Sequence, residues 1–411
     1  LASFTATDTL WMLVCACFVF FMQAGFTCYE AGLVQSKNVI SVAIENIFNL
    51  TISIVLFSLV GFPLMFGETI FSADSSAETA FVFLQIMFAA VSVTIFAGAL
   101  SERTKLAPLL VAGAVSAALI YPLFGRLAWG SHLSGNASWL EKLGFALAGL
   151  LAVGSRSRQH TGKSNIPLAV LGVFILWFGW FGFNGGCIRP GDPALSKVFL
   201  NTCMGAAYGT LGALCSNLLL KRNGGYLISL FNGVLSGLVS ITALSAYCSF
   251  WAAMLVGFIA GILADLTSVL LEKLHIDDVV NVIPVHLIGG LTGILALPFC
   301  IPVSALPTDS RLEQFGVQII GACICFAASF GISFIVFLLM KHTTGLRVTK
   351  EEEEKGLNIV EFSDIYSWQN YIETSSYEQE IQEKNDLLRK QTRLLAVTEE
   401  QEKKRLAKDL H

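Results

Sequence analysis

Apolar residues run in blocks of about twenty almost from the first residue to Lys341, and charged residues crowd behind that point. A helix needs about 20 apolar residues to cross the hydrocarbon core. Eleven runs are candidate spans: 10–33, 39–66, 80–100, 106–124, 143–153, 166–188, 198–219, 225–245, 249–271, 279–299 and 314–340. Backbone polar groups in lipid must be satisfied within the segment, so the pattern predicts helices. The run 143–153 is about half the length a crossing requires. Gly257-x-x-x-Gly261 and Gly289-x-x-x-Gly293 allow helices to approach closely.

The polar positions between the runs give an orientation. One set of loops carries Lys37, Arg103, Lys105, Arg156, Arg158, Lys163, Lys221, Arg222 and Lys273, and then the tail from Lys341. The alternate set carries only Arg126, Lys142, Arg189, Lys197 and Arg311. The richer side is expected in the cytoplasm, which puts the N-terminus outside and the C-terminus inside a multi-pass inner-membrane protein. An odd number of spans agrees.

Composition supports the class. The 411 residues are 54% hydrophobic and 14% charged, with a mean hydropathy of +0.67. The net charge of −4 comes partly from the acidic tail and gives no reason to expect nucleic acid. The ten cysteines lie mostly in apolar runs without metal-ligand spacing, so they read as small apolar fillers and no metal is expected. Leu1 stands where a Met would open a chain, which suggests a processed or trimmed form.

From Tyr377 onward the chain is polar, free of Gly and Pro, and rich in helix formers. Ile381, Leu388 and Leu395 are seven apart, as are Leu387 and Leu394, the spacing of a short coiled-coil seam. Three segments follow: a membrane domain at 1–342, a cytoplasmic transducing segment at 343–375, and a coiled-coil helix at 376–411.

Several motifs carry a resemblance. Phe178-Gly-Trp-Phe-Gly-Phe-Asn-Gly-Gly186 is similar to the sixth-helix signature of the ammonium transporter, methylammonium permease and Rhesus family. So are Gly98-Ala-Leu-Ser-Glu-Arg-Thr104, Tyr121-Pro122, Trp129-Gly130, Asn232 to Thr242, Asp277-Asp278 and Pro284-Val-His286. Gly345 to Thr349 and Glu351 to Leu357 resemble that family's tail. The resemblance implies an all-α fold of eleven transmembrane helices in two inverted halves, assembled as a homotrimer. It implies ammonium as the ligand, received at an aromatic vestibule where Trp129 matches. Phe88 and Phe199 match a pair of gate phenylalanines. His286 matches the second of two histidines lining the pore. A small cation over an indole face gains roughly 0.5–2 kcal/mol, and an ionisable residue within a span is a functional candidate. Asp265 also falls inside an apolar run, where it either lines the inner mouth or pairs with a neighbour.

One departure is sharp. The family's fifth helix carries an Asp and the first pore His, and here Gly144-Phe145 runs directly into Ala146-Leu-Ala-Gly-Leu-Leu-Ala-Val153. His160 lies in a basic loop and is no substitute. The shortfall reads either as a deletion that disables conduction or as residues omitted from a continuous numbering. A receptor needs no flux, which favours the first.

Glu402 to His411 resembles the phosphoacceptor helix of nitrate-sensor-like histidine kinases, with His411 the phosphoacceptor and Asp409 beside it. The ATP-binding domain is absent from this stretch. ATP is expected only for a longer protein, as are kinase activity and a response-regulator partner, and no cofactor is expected here. The reading is an ammonium sensor in a lipid bilayer, fused to a histidine kinase. The alternative is a conducting ammonium channel with a regulatory helix, and a structural scaffold ranks below both.

Overall fold

The computed structural model describes residues 4–130, 163–221 and 225–409. The described residues are helical, apart from turns and one isolated bridge between Thr104 and Arg347. Ten helical runs form the bundle: α1 Ala6–Leu33, α2 Ser36–Phe66, α3 Ser76–Gly98, α4 Leu106–Ala128, α5 Ile166–Gly185, α6 Ala194–Leu219, α7 Tyr226–Thr242, α8 Phe250–Lys273, α9 Ile283–Cys300 and α10 Arg311–His342. Among the described residues, nine are long and apolar enough to cross a membrane, and α7 is shorter. The tail adds α11, Lys350–Lys355, and α12, Leu357–Asp409.

Several helix starts are written locally. Thr5 with Asp8 and Ser75 with Glu78 close capping boxes at α1 and α3. Ser249 and Ser310 cap α8 and α10 in the simpler way. Within α2, α4 and α9 the helix widens to a π-turn at Phe57–Gly61, Ser116–Ile120 and Ile283–Ile288. A proline stands at or just after each one: Pro63, Pro122 and Pro284. A proline supplies no N–H and crowds the carbonyl of the preceding turn, so the helix is locally rewound there.

Backbone contact fixes the packing. α1 lies along α5, where Gly172 and Gly182 leave no room for a Cβ against Tyr29 N and Phe18. α6 lies along α8 through Gly205, Gly209 and Gly212 facing Gly257, Gly261 and Phe258. Small residues let backbones touch where apolar burial gives no advantage over lipid. The second predicted stripe, Gly289 and Gly293, packs on Ser236 and Ser240 of α7. Phe231, Leu238, Leu176 and Met22 fill the centre.

The tail returns to one end of the bundle. Val348 N donates to Arg103 O, and Lys105 N donates to Leu346 O, so the tail pairs with the α3–α4 turn. That end is called the tail end here and the opposite one the far end. The sequence places the final helix from Tyr377, whereas the structure starts α12 twenty residues earlier. Leu357 N donates to Asn38 Oδ1, and Leu357 itself is 1% exposed, so the bundle nucleates the helix. At Phe362 the backbone breaks (φ −138°, ψ 45°), and α12 continues to Asp409 beyond that kink. The run 143–153, His160 and His411 lie outside the described residues.

Candidate functional site

α4 carries Trp129 at its far-end cap, with Trp129 N donating to Gly125 O. Its ring meets Tyr121 at 5.8 Å and Phe124 at 6.3 Å, both edge-on. The indole packs against both apolar clusters of the bundle. Its half-buried face at the end of a span suits a small cation that has begun to lose water.

Phe88 of α3 meets Phe183 of α5 edge-on, with ring centroids 4.9 Å apart. Phe183 in turn touches Trp180 at 5.7 Å. Trp180 is buried, and its indole N–H donates to Thr242 Oγ1 at 2.9 Å. Phe199 stands elsewhere: its ring stacks on Phe181 at 5.1 Å and lies 6.2 Å from Trp11. The expected pair therefore does not stack in this structure. The ring on Phe88 comes from the Phe178–Gly186 motif.

Trp180 also lines a chamber with a volume of about 20 Å³, room for one water-sized occupant. Phe26, Tyr29, Glu30, Leu235, Val285 and His286 are among its walls. His286 reaches it from the π-turn of α9, which re-aims the side chains around Pro284. Tyr29 spends its hydroxyl on Val280 O. The column thus runs from Phe88 and Phe183 through Trp180 to His286.

Asp265 of α8 does not line this chamber. It is fully buried and accepts from the Ser229 hydroxyl at 2.6 Å, and that hydroxyl accepts from Asn217 Nδ2 at 2.9 Å. Of the two sequence readings, pairing with a neighbour holds.

At the tail end, α11 and the start of α12 are fastened to the α3–α4 turn and to the start of α2. Arg103 pairs with Asp277 from the α8–α9 loop and with Glu353 at 3.4 Å. Lys105 pairs with Glu352 at 3.5 Å. Lys37 Nζ donates to Glu353 O at 2.5 Å and to Glu354 O at 3.1 Å. Asn358 Oδ1 accepts from Ile40 N and Ser41 N, and its Nδ2 donates to Ser36 O. The α1–α2 and α3–α4 loops are also tied together: Glu102 accepts from Gln35 N and Asn38 Nδ2. Glu102 adopts φ 71°, a conformation rare for a side chain of this kind, and is 4% exposed. Thr349 N–H and then the Thr349 hydroxyl contact hold the Glu352 carboxyl below its ordinary range.

Sequence reasoning passed over Glu30, Phe183 and Trp180. The signal for Glu30 was present, since an acid inside an apolar span is rare without a purpose. Phe183 and Trp180 lay inside a quoted motif, and only the packing separates them from its other aromatics. Among the described residues no group of His, Cys, Asp and Glu could hold a metal.

The comparisons with known proteins agree with this architecture. The model of the Ammonium Transporter Family matches residues 10–366. Ammonium transporter Amt2 of Archaeoglobus fulgidus is 34% identical over 422 residues, covering 90% of each chain. A solved structure titled Sensor Amt Protein superposes with a TM-score of 0.80 at 37% identity, over 87% of this chain and 98% of that one. Candida albicans Mep2, at 23% identity and a TM-score of 0.75 over 85% of this chain and 88% of that one, shows the same fold. A multi-pass helical bundle with these motifs, matched across residues 10–366, is a membrane protein that belongs to the ammonium transporter family.

Proposed function

We propose that this chain is the membrane receptor and relay of an ammonium sensor. The observation that carries the reading is the clamp at the tail end. One short segment, Gly345 to Asn358, is bonded to the α3–α4 turn and to the start of α2, and Arg103 of that turn in turn pairs with Asp277 of the α8–α9 loop. Any rearrangement of those helices must shift the tail or break its bonds. A ligand can drive such a shift only through different affinities for the two arrangements. The likeness to a protein titled Sensor Amt Protein supports the same choice.

Ammonium is received at Trp129 and passes toward Phe88 and Phe183, with His286 below. Phe199 braces Trp11 and the end of α5 beside that entrance. α4 ends at the far end while α5 begins at the tail end, and this supports an eleven-span count with the N-terminus outside and the tail in the cytoplasm. The assembly is a homotrimer in the inner membrane. Residues 343–375 transduce, and residues 376–411 lead to His411, phosphorylated in a longer protein that carries the kinase domain and hands the phosphoryl group to a response regulator.

The test is phosphorylation of the kinase-bearing protein in vesicles with labelled ATP. Acid-labile label that changes with ammonium and vanishes in His411→Gln supports the reading. Equal label with and without ammonium refutes it. A second reading, a conducting channel with a regulatory helix, is favoured by the name of the Archaeoglobus relative.

A further inference from the structure

The loop that joins α8 to α9, residues 274–282, touches both the chamber and the tail clamp. On its inner side Val280 and Val282 are chamber walls. Val280 O accepts from the buried Tyr29 hydroxyl of α1 at 3.3 Å. Val280 Cγ2 lies 3.2 Å from where a Cβ on Gly98 of α3 would sit. On the outer side Asp277 pairs with Arg103, which also holds Glu353 of α11. Val348 N donates to the carbonyl of the same Arg103. Next to Val280 stands Asn281, with φ 58° and 9% of its surface exposed. A left-handed backbone is unfavourable for a residue with a side chain, and Asn is among the few that visit it. Here the surroundings impose it. Asn281 Oδ1 accepts from the Ser268 hydroxyl of α8 at 3.0 Å, and that hydroxyl accepts from Asn232 Nδ2 of α7 at 2.8 Å. Asn281 N donates to Asp278 O, and Asn281 O accepts from Val285 N, both at 3.1 Å. Asn281 is not a wall of the chamber, and among the described residues none of these bonds goes to the tail.

We infer that the α8–α9 loop transmits the signal from the helices to the tail, and that Asn281 is its positioning residue. The left-handed turn at Asn281 holds Val280 against Tyr29 and, through the same short loop, Asp277 against Arg103. The inference rests on the sensor reading above and names the part that carries the signal. A residue in a sparsely populated conformation persists only while its surroundings over-determine it. When α1 and α9 shift against each other, Tyr29 draws Val280 with it and the bond from Ser268 to Asn281 is lost. The Asn281 backbone then relaxes to negative φ, the loop turns, and Asp277 leaves Arg103. Glu353 and Val348 lose the brace on Arg103, and the tail loosens. Packed interiors switch between discrete arrangements rather than deforming gradually, so a small displacement at Val280 suffices.

The test is hydrogen exchange of the whole chain in nanodiscs, with and without ammonium, read at the amides of Val348 and Leu357. Ammonium binding is measured separately by calorimetry. Asn281→Ala and Asn281→Gly both lose the bond from Ser268, but only alanine is penalised at positive φ. Without ammonium, Asn281→Ala is expected to exchange these amides about tenfold faster than Asn281→Gly. Ammonium is expected to change the exchange in the parent and in Asn281→Gly, and to leave Asn281→Ala unchanged although it still binds. Equal exchange in the two variants, or an ammonium response of parental size in Asn281→Ala, overturns this inference alone. Loss of ammonium binding in Asn281→Ala also overturns it, by placing the residue in the binding site. A parent whose tail amides do not respond to ammonium overturns the sensor reading, and this inference with it. Should Asn281→Ala not fold, Asp277→Asn takes its place: loss of the ammonium response supports the inference, and a response of parental size overturns it.

Discussion

Trp129 and Asp278 show what single residues contribute at the two ends of the bundle. If Trp129 receives ammonium, Trp129→Ala removes a cation–π contact of about 1–2 kcal/mol, a loss of roughly tenfold in affinity. Calorimetry on the purified protein checks this, and unchanged affinity places the entrance elsewhere. Asp278, outside the spans, accepts from Val282 N at 2.8 Å and Ile283 N at 2.7 Å and so closes the start of α9. Burial nonetheless dominates and raises its carboxyl to about 6 from an ordinary 3.8, while the backbone donors oppose it. The folded state therefore holds this proton more tightly than the unfolded chain. Its contribution to stability is most favourable below pH 3.8 and declines as pH rises from there to about 6. Asp278→Asn should abolish that decline. Melting curves at a series of pH values check it, by the difference in slope between variant and parent.

Among the elements, the tail clamp is the most open to test. Asn358 holds three backbone groups at the start of α2 and its side chain is buried. Asn358→Ala leaves those groups unpaired, at about 1–3 kcal/mol for each that stays buried. The first turn of α12 should lift away, and limited proteolysis between Gly345 and Phe362 should accelerate at least tenfold. Equal cleavage rates would show that the ion pairs of Arg103 and Lys105 suffice. Ten of the eleven spans were legible because lipid imposes length and helicity on each, and their observed ends lie within a few residues of the apolar runs; the run 143–153 lies outside the described residues. The clamp was not legible, since Lys37, Arg103 and Asp277 lie far apart in the chain and read individually as solvated loop charges. Motifs singled out Trp129, Phe88 and His286, and the structure gives their neighbours. That Phe88 meets Phe183, and that Phe199 meets Trp11, is decided by how α1, α5 and α6 rotate about their glycine contacts.

For the whole molecule, the sensor and channel readings predict different fluxes. A receptor of this design should take up little methylammonium in vesicles compared with a conducting relative. Uptake at the relative's rate would favour the channel. The seam on α12 concerns assembly: Ile381, Leu388 and Leu395 are 56%, 60% and 67% exposed within one chain. Apolar residues at seven-residue spacing need a partner to cover them. Leu388→Glu should abolish crosslinking between tails while leaving the membrane assembly intact by size.

The kink at Phe362 has a mechanical consequence. Beyond it α12 remains helical to Asp409, which at 1.5 Å per residue makes an arm about 70 Å long. Its fulcrum is the clamp at Asn358 and Leu357. A tilt of about 5° at that fulcrum sweeps the distal end through roughly 6 Å, about one helical turn. An ångström-scale change among buried helices is thereby enlarged into a displacement of several ångströms at the distal end of the arm.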